Sequence, residues 1–187
     1  MLTTLLATLN EIVSLTEQEI RFIQPLLVQK SFRRGTIISK ENCFCDFLLF
    51  LHQGYLRIFI NGDPKEITIH LAGPGEFITA YDSFITRTNS IENIQAITDA
   101  EVLLISYDDL QLCYNFSHNL ERLGRLVIEQ HFVKKERRVI SFITEVAEKR
   151  YKNFSEKNPL FIQNIPLHYI ASYLGISPET LSRIRAK

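Results

Sequence analysis

The side chains best suited to recognising another molecule lie near the C-terminus, in the segment PLHYIASYLGISPETLSRIRAK, residues 166–187. Ser182 and Arg183 follow Glu179 by three and four residues, so the three side chains would share one face of a helix. Carboxylate, hydroxyl and guanidinium groups on such a face are those that bond base edges and phosphates in DNA. The spacing therefore predicts a helix that reads the major groove.

The residues around this helix predict a helix-turn-helix that would present it. Gly175 stands where the turn needs a residue tolerant of positive φ. Ser177 and Pro178 suit the N-cap and the first position of the second helix. The residues that would share a small core between the two helices are Ile170, Ala171, Leu174, Ile176, Leu181 and Ile184. The predicted DNA-contacting residues are Ser177, Pro178, Glu179, Thr180, Ser182, Arg183, Arg185, Lys187, His168 and Tyr169.

Charge is distributed in a way that agrees with this prediction, although the net charge of the chain is +0. Residues 134–187 hold 11 lysines and arginines against 5 acidic residues, whereas residues 1–133 hold 10 against 16. A basic C-terminal third is the electrostatic signature expected of the part that meets phosphate.

Composition limits the class of protein. Of the 187 residues 45% are hydrophobic and 22% charged, which is typical of a globular protein. We expect a cytoplasmic protein, because no segment is as long and apolar as a membrane helix and the N-terminus lacks a basic signal-peptide start. Cys43, Cys45 and Cys113 form neither an even set nor a CxxC motif, so we expect neither disulfides nor a metal centre.

The elements that would carry the helix-turn-helix follow from hydrophobic spacing. Residues 1–30 read as two helices, the second with a capping box formed by Thr16 and Glu19. From Phe32 to about Ser106, short apolar runs separated by turn residues predict an antiparallel roll, with a hairpin at Asn61-Gly62-Asp63.

Helices return after the roll. Ser106 would cap a short helix, and a long helix would run from about His118 to Ile143. This long helix would either lie on its own roll or pair with a second copy in a dimer, and both hold if different faces are used. Thr144 would cap the next helix. The predicted division is a sensor roll (1–116), a dimerisation helix (117–143) and a DNA-binding domain (144–187).

This order of parts resembles the Crp/Fnr family of bacterial transcription regulators, over nearly the whole chain. GPGEF at Gly73–Phe77 is similar to the glycine-acid corner of the family's cyclic-nucleotide-binding-like roll, and Gly35 and Gly54 stand at its usual turns. SPETLSRI at Ser177–Ile184 resembles the Fnr-type recognition helix, in the variant common in Bacteroidetes. The resemblance implies an α+β fold: an antiparallel jelly-roll, a long dimerisation helix and a small C-terminal winged-helix domain.

The resemblance also implies partners and roles. A homodimer would bind a near-palindromic double-stranded DNA and contact RNA polymerase. Glu179 would accept from cytosine and Arg183 would bond guanine, with Ser182 beside them. The groups implied to hold the DNA backbone are those of Arg185, Lys187, His168 and Tyr169.

Two departures from the family pattern argue against cyclic AMP as effector, and no other cofactor is indicated. The ribose-binding Glu of the family aligns with Ala80, and its phosphate-binding Arg-Ser pair aligns with Ser90 and Ile91. Without the guanidinium the bidentate, charge-assisted phosphate contact is lost, and Arg87 would need a loop shift to replace it. The candidate residues for another effector are Gly75, Glu76, Phe77, Ala80, Arg87, Ser90, Ile91, Val127 and His131, each equally explained by roll or dimer packing.

A third departure concerns the wing. Members of the family often continue past the recognition helix into a β-hairpin, whereas this sequence reaches only Lys187 there. We therefore expect a small wing, or one formed by LFIQNIP, residues 160–166.

Two alternatives belong to other functional classes. A roll of this kind resembles the cupin barrel of metal enzymes, and His52 and His70 lie in predicted strands, but the His-x-His pair usual in cupins is missing. The second alternative is a ligand- or protein-binding module whose helix-turn-helix no longer meets DNA.

Overall fold

The computed structural model describes residues 1–186 as a β-roll preceded and followed by helices. Helix α1 spans Leu2–Ile12 and α2 spans Glu17–Ile23, followed by a 3-10 turn at Gln24–Leu26. The predicted capping box is confirmed, because Thr16 Oγ1 accepts from the Glu19 backbone N–H and the Glu19 carboxylate accepts from the Thr16 backbone N–H.

Eight strands form two antiparallel four-stranded sheets, as expected for the jelly-roll. One sheet has the order β1-β8-β3-β6 and the other β2-β7-β4-β5. The Asn61-Gly62-Asp63 hairpin is confirmed, since β4 and β5 pair on either side of it. The strands are β1 Val28–Phe32, β2 Ile37–Ser39, β3 Phe47–Gln53, β4 Leu56–Asn61, β5 Glu66–Ala72, β6 Phe77–Ile78, β7 Asn93–Ala96 and β8 Ala100–Ser106.

The interior of the roll is filled by side chains that alternate along these strands. Both sheets contribute large apolar residues that are almost completely buried, namely Leu49, Leu51, Leu56, Ile78, Ile94 and Val102. Each such side chain stabilises the roll by roughly 1.5–3 kcal/mol relative to leaving it exposed. The roll is thus a packed core that holds its corners and surface helices in place.

Of the next three helices, the first was not predicted from the sequence and the other two were. The short α3 spans Tyr81–Thr86 between β6 and β7. Helix α4, Tyr107–Phe116, is capped by Ser106 as predicted. The long helix α5 spans His118–Thr144, 27 residues, and so extends roughly 40 Å.

The next helix boundary was predicted wrongly. Thr144 does not cap a new helix: it ends α5, and its hydroxyl donates to the Ile140 carbonyl within the same helix. The chain breaks at Glu145 and Val146, and α6 spans Ala147–Lys157. A threonine hydroxyl can serve a cap or bond backwards along a helix, and the sequence alone does not separate these uses.

The C-terminal region of the described chain consists of helices. After α6 come α7 Pro159–Asn164, α8 Leu167–Leu174 and α9 Pro178–Arg185. Of the two alternatives for the wing, the one that forms it from LFIQNIP is wrong: most of this segment lies in α7, which Pro159 starts at a position where a missing N–H costs nothing. The roll, the long helix and the C-terminal helices otherwise match the expected fold class. The division at 116/117 and 143/144 stays a prediction.

The C-terminal helices pack on the roll and on α5. Their core of Ile165, Ile170, Leu174 and Leu181 is continuous with buried residues of the roll, among them Tyr55, Leu71 and Ile97. Across the boundary the Thr68 backbone N–H donates to Ser172 Oγ at 2.9 Å. Within residues 1–186 no helix is long and apolar enough to cross a membrane.

Candidate nucleic-acid interface

The turn between α8 and α9 has the geometry that the sequence predicted. Gly175 adopts φ 64, in the left-handed region. This conformation lets the Gly175 and Ile176 N–H groups donate to the carbonyls of Ser172 and Ala171, which closes the end of α8. A Cβ at Gly175 would lie 2.7 Å from the Phe142 ring of α5, so glycine is needed for space as well as for φ.

Helix α9 begins as predicted and is fixed by one buried residue. Ser177 Oγ accepts from the Thr180 backbone N–H at 3.1 Å, and Pro178 occupies the first turn. Leu181 is 1% exposed and packs in the core that contains Ala171. Because Leu181 faces inward, the side chains on the opposite side of α9 face away from the molecule.

The outward face of α9 carries the predicted base-reading groups. Glu179, Ser182, Arg183 and Arg185 are all exposed. A hydrogen bond with Ser177 lowers the pKa of the Glu179 carboxyl, so this group is an ionised acceptor at neutral pH. The predicted contact at Lys187 lies outside the described residues.

The two predicted contacts on α8 differ in their surroundings. The side chain of His168 is exposed, and its ring lies 4.0 Å from that of Tyr169. Tyr169 instead faces the roll, where its ring centroid lies 4.0 Å from the guanidinium carbon of Arg57. In this arrangement Tyr169 takes part in holding the C-terminal helices on the roll, a role that sequence reasoning missed.

Five of the predicted effector residues come together at the glycine corner and α5. Gly75, Glu76, Phe77, Val127 and His131 line a small cavity of about 90 Å³. Here the Glu76 carboxylate accepts from the Gly73 backbone N–H and pairs with Lys134 Nζ at 3.0 Å. The corner is thus tied to the long helix by an ion pair.

Two further members of this cluster are His70 and Tyr81, whose rings contact His131, and His70 was not among the predicted effector residues. Burial lowers the pKa of His70 to about 3 and that of His131 to about 4, and neighbouring lysines act in the same direction. Both imidazoles are therefore neutral at physiological pH. A histidine in a strand and another on a helix share no sequence motif, so only the fold brings them together.

The remaining predicted effector residues lie elsewhere. Ala80 is fully buried in the roll, and the buried Ser90 hydroxyl is bonded to the backbone of Glu92. Ile91 is 68% exposed. The Arg87 guanidinium lies over the rings of Phe44 and Tyr107, at 4.2 and 3.9 Å from their centroids.

The residues behind the metal-enzyme alternative are separated. His52 lies on β3 and His70 on β5, which belong to different sheets. Cys45 and Cys113 are buried thiols, and Cys43 is exposed. Across residues 1–186 no three His, Cys, Asp or Glu side chains are grouped so that they could hold a metal ion.

Comparison with known proteins agrees with this architecture. Residues 29–115 match the cyclic nucleotide-binding domain family. No curated protein sequence matches the chain.

Among solved structures, FixK2 from Bradyrhizobium japonicum superposes with a TM-score of 0.74 at 16% identity, over 86% of this chain and 83% of that one. A transcriptional regulator of the Crp/Fnr family from Eubacterium rectale gives 0.68 at 19% identity, over 91% and 82%. The c-di-GMP responsive global regulator CLP of Xanthomonas campestris gives 0.68 at 16% identity, over 91% and 90%. At these identities the likeness is one of fold. The roll therefore matches the cyclic nucleotide-binding domain family over residues 29–115, and the chain has the fold seen in these solved regulators.

Proposed function

We propose that this chain is a sequence-specific DNA-binding transcription regulator of the Crp/Fnr type and not an enzyme. The observation that carries the proposal is the exposed row of Glu179, Ser182 and Arg183 on a helix whose N-terminus is capped and whose inner side is fixed by Leu181. An acceptor and a guanidinium one helical turn apart are suited to cytosine and guanine edges in the major groove. Such a regulator would act in the cytoplasm and contact RNA polymerase.

A homodimer formed along α5 would place two such helices on one DNA. Among the exposed apolar residues of α5 are Ile128, Phe132, Val139 and Ile143, four, seven and four residues apart. These four residues lie along one side of the helix and form a stripe, which we call the α5 seam, of the kind that pairs helices in coiled coils. The seam lies on a different side of α5 from the buried Leu120 and Leu123, which pack on the same protomer.

We propose further that cyclic AMP is not the effector. Ala80 stands in place of a ribose-binding carboxylate and is buried. The Arg87 guanidinium, the nearest substitute for a phosphate clamp, is stacked between Phe44 and Tyr107. A phosphate without a charge-assisted partner would lose the contact that normally fixes it.

Selection of bound sequences from a random duplex pool, at fixed salt and without added ligand, tests the proposed function. A palindromic motif with half-sites about one turn of DNA apart is the expected result. If nothing is enriched, the selection is repeated with cell metabolites added, because an effector could be needed to align the two recognition helices. Failure in both arms would contradict DNA binding and favour a protein-binding role for the helix-turn-helix.

A further inference from the structure

A second cavity lies between the outer surface of the roll and the helices α1, α2, α3, α4 and α5. Its volume is about 310 Å³, against 90 Å³ for the space at the glycine corner. The two spaces share only Phe77, Tyr81 and Val127, and the larger one continues from there between α4 and α5. Sites for small molecules range from roughly 300 to 1,000 Å³, so this cavity is at the lower end of that range.

The walls of the larger cavity carry no charged side chain. They are formed mainly by leucine, isoleucine and aromatic residues, such as Leu9, Leu110 and Leu123. The few polar groups are neutral at physiological pH: burial raises the pKa of the Cys113 thiol to about 11 and that of the Tyr114 hydroxyl to about 12. An anion or cation placed here would lose its hydration without gaining a counter-charge, so the cavity selects against charged ligands.

A fully buried hydroxyl in the wall lacks a partner. Tyr81 Oη is buried and makes no hydrogen bond within the described chain. A buried polar group without a partner costs roughly 1–3 kcal/mol, and a ligand that bonds it would remove this cost. Because this oxygen has almost no surface open to solvent, a small rotation of the Tyr81 ring would be needed to turn the hydroxyl toward a ligand.

We propose that this cavity binds a neutral, mainly apolar small molecule that carries one hydrogen-bonding group, with Tyr81 Oη as its polar contact. The proposal deepens the proposed function by naming a class of effector and its site, and its regulatory meaning rests on that function. The binding of the molecule itself does not depend on the proposed function.

The position of the cavity links an occupant to the proposed dimer helix. Tyr114 of α4 packs directly on Gly124 of α5, where an added Cβ would lie 2.3 Å from the tyrosine Oη, and both residues line the cavity. Ile128 lines the cavity and also belongs to the α5 seam, and its side chain is 41% exposed. A bound molecule would therefore contact α4, α5 and one residue of the seam at once.

Two fluorescent probes with the same ring skeleton test the chemistry of the site on the full chain. N-Phenyl-1-naphthylamine is neutral and has one N–H group, whereas 8-anilino-1-naphthalenesulfonate adds a sulfonate to that skeleton. We expect the neutral probe to bind at one site per chain, at least about tenfold more tightly than the anionic probe. Equal affinities, or tighter binding of the sulfonate, would overturn the neutral site.

A matched pair of variants on α4 tests the location. Leu110→Trp places a large side chain in the cavity, whereas Leu112→Trp changes a 51% exposed position of the same helix that does not line it. We expect Leu110→Trp to abolish binding of the neutral probe and Leu112→Trp to leave it unchanged. Should Leu110→Trp fail to fold, Ile85→Trp at the 59% exposed rim is the second blocking variant.

Tyr81→Phe tests the hydrogen bond to the ligand, and we expect it to weaken binding of the neutral probe about three- to tenfold. Unchanged affinity would contradict the hydrogen bond. Failure of the neutral probe to bind the wild-type protein would overturn the whole proposal. Because no DNA is present in these assays, their outcome is independent of the selection experiment that tests the proposed function.

Discussion

The Arg57 guanidinium on β4 lies between two aromatic rings, that of Phe59 on its own strand and that of Tyr169 on α8, at 4.0 Å from each centroid. Arg57 is 2% exposed, and it also pairs with the Glu66 carboxylate at 2.5 Å. A desolvated guanidinium on an aromatic face contributes about 2 kcal/mol. This contact thus helps to hold the helix-turn-helix on the roll.

We predict that Arg57→Met loosens this docking. The Thr68 backbone N–H reports on it, because its acceptor is Ser172 Oγ on α8. Loss of the cation–π contact should increase hydrogen exchange at the Thr68 amide by about tenfold, as expected for a loss of about 1.4 kcal/mol. Amide exchange followed by NMR makes the measurement.

Arg33→Met is the matched control, since Arg33 pairs with Asp99 on the exposed surface of the roll, away from α8. The control should leave exchange at Thr68 unchanged. Equal exchange in the wild type and in Arg57→Met would show that the contact does not contribute to docking.

Acid stability should depend on Glu19, which joins α2 to the start of α5. Burial alone would raise the pKa of its carboxyl, but hydrogen bonds from Ser117, Thr16 and Asn119 outweigh this and lower it to about 2. A carboxyl with a lowered pKa in the folded state stabilises the fold above its unfolded pKa. We therefore expect up to about 3 kcal/mol of stability at neutral pH, lost as the pH falls from about 5 to 2.

Glu19→Gln removes this ionised acceptor. Chemical denaturation at several pH values should show a lower free energy of unfolding at pH 7 and a smaller decrease toward acid than in the wild type. Glu17→Gln is the control, because Glu17 lies on the same helix in an exposed pair with Arg21. An unchanged pH profile in Glu19→Gln would refute the role of the hydrogen-bonded carboxylate.

Local signals explain what could be predicted from the sequence. The cap at Ser177, the left-handed Gly175 and the hairpin after Asn61 each depend on residues within one turn, and each is confirmed. The alternative of a wing at LFIQNIP failed because the segment after Pro159 is apolar enough for a strand or a helix, and packing on α6 and the roll decides for the helix.

Contacts between distant segments could not be predicted. Nothing in the local sequence pairs Arg57 with Tyr169, or His70 with His131, because these residues meet only after the roll and the helices have formed. The same holds for the cavity around Tyr81, whose walls come from five separate helices as well as strands. Sequence periodicity identifies which face of an element is apolar, but not which other faces it meets.

Dimer formation along α5 should be sensitive to charge in the seam. Val139 is 55% exposed and lies between Phe132 and Ile143, so Val139→Glu would place two carboxylates at the proposed interface. Burying them unpaired should weaken dimerisation at least about a hundredfold. Analytical ultracentrifugation over a concentration series provides the measurement.

Gln130→Glu is the control, because residue 130 is exposed on a different side of α5 from the seam and the variant adds the same charge. It should leave the dimerisation constant unchanged. A dimer that tolerates Val139→Glu would place the interface elsewhere.

The two arginines of α9 should differ in what they contribute to DNA binding. Arg183 shares the face of Glu179 and Ser182, so Arg183→Ala should relax the base preference at one position, at a cost of about 1–3 kcal/mol on the preferred sequence. Arg185 lies near the end of α9 and is expected to contact a phosphate. Arg185→Ala should therefore weaken binding to all DNA sequences alike and reduce the salt dependence of the binding constant by about one unit of slope. Binding to the selected and to a scrambled duplex at several salt concentrations separates the two roles.

Arg122→Ala is the control, because Arg122 is at an exposed position of α5 far from α9, and it should change neither the base preference nor the salt dependence. Equal losses for Arg183→Ala and Arg185→Ala on both duplexes would contradict this division, since a base contact must discriminate between sequences and a phosphate contact must not.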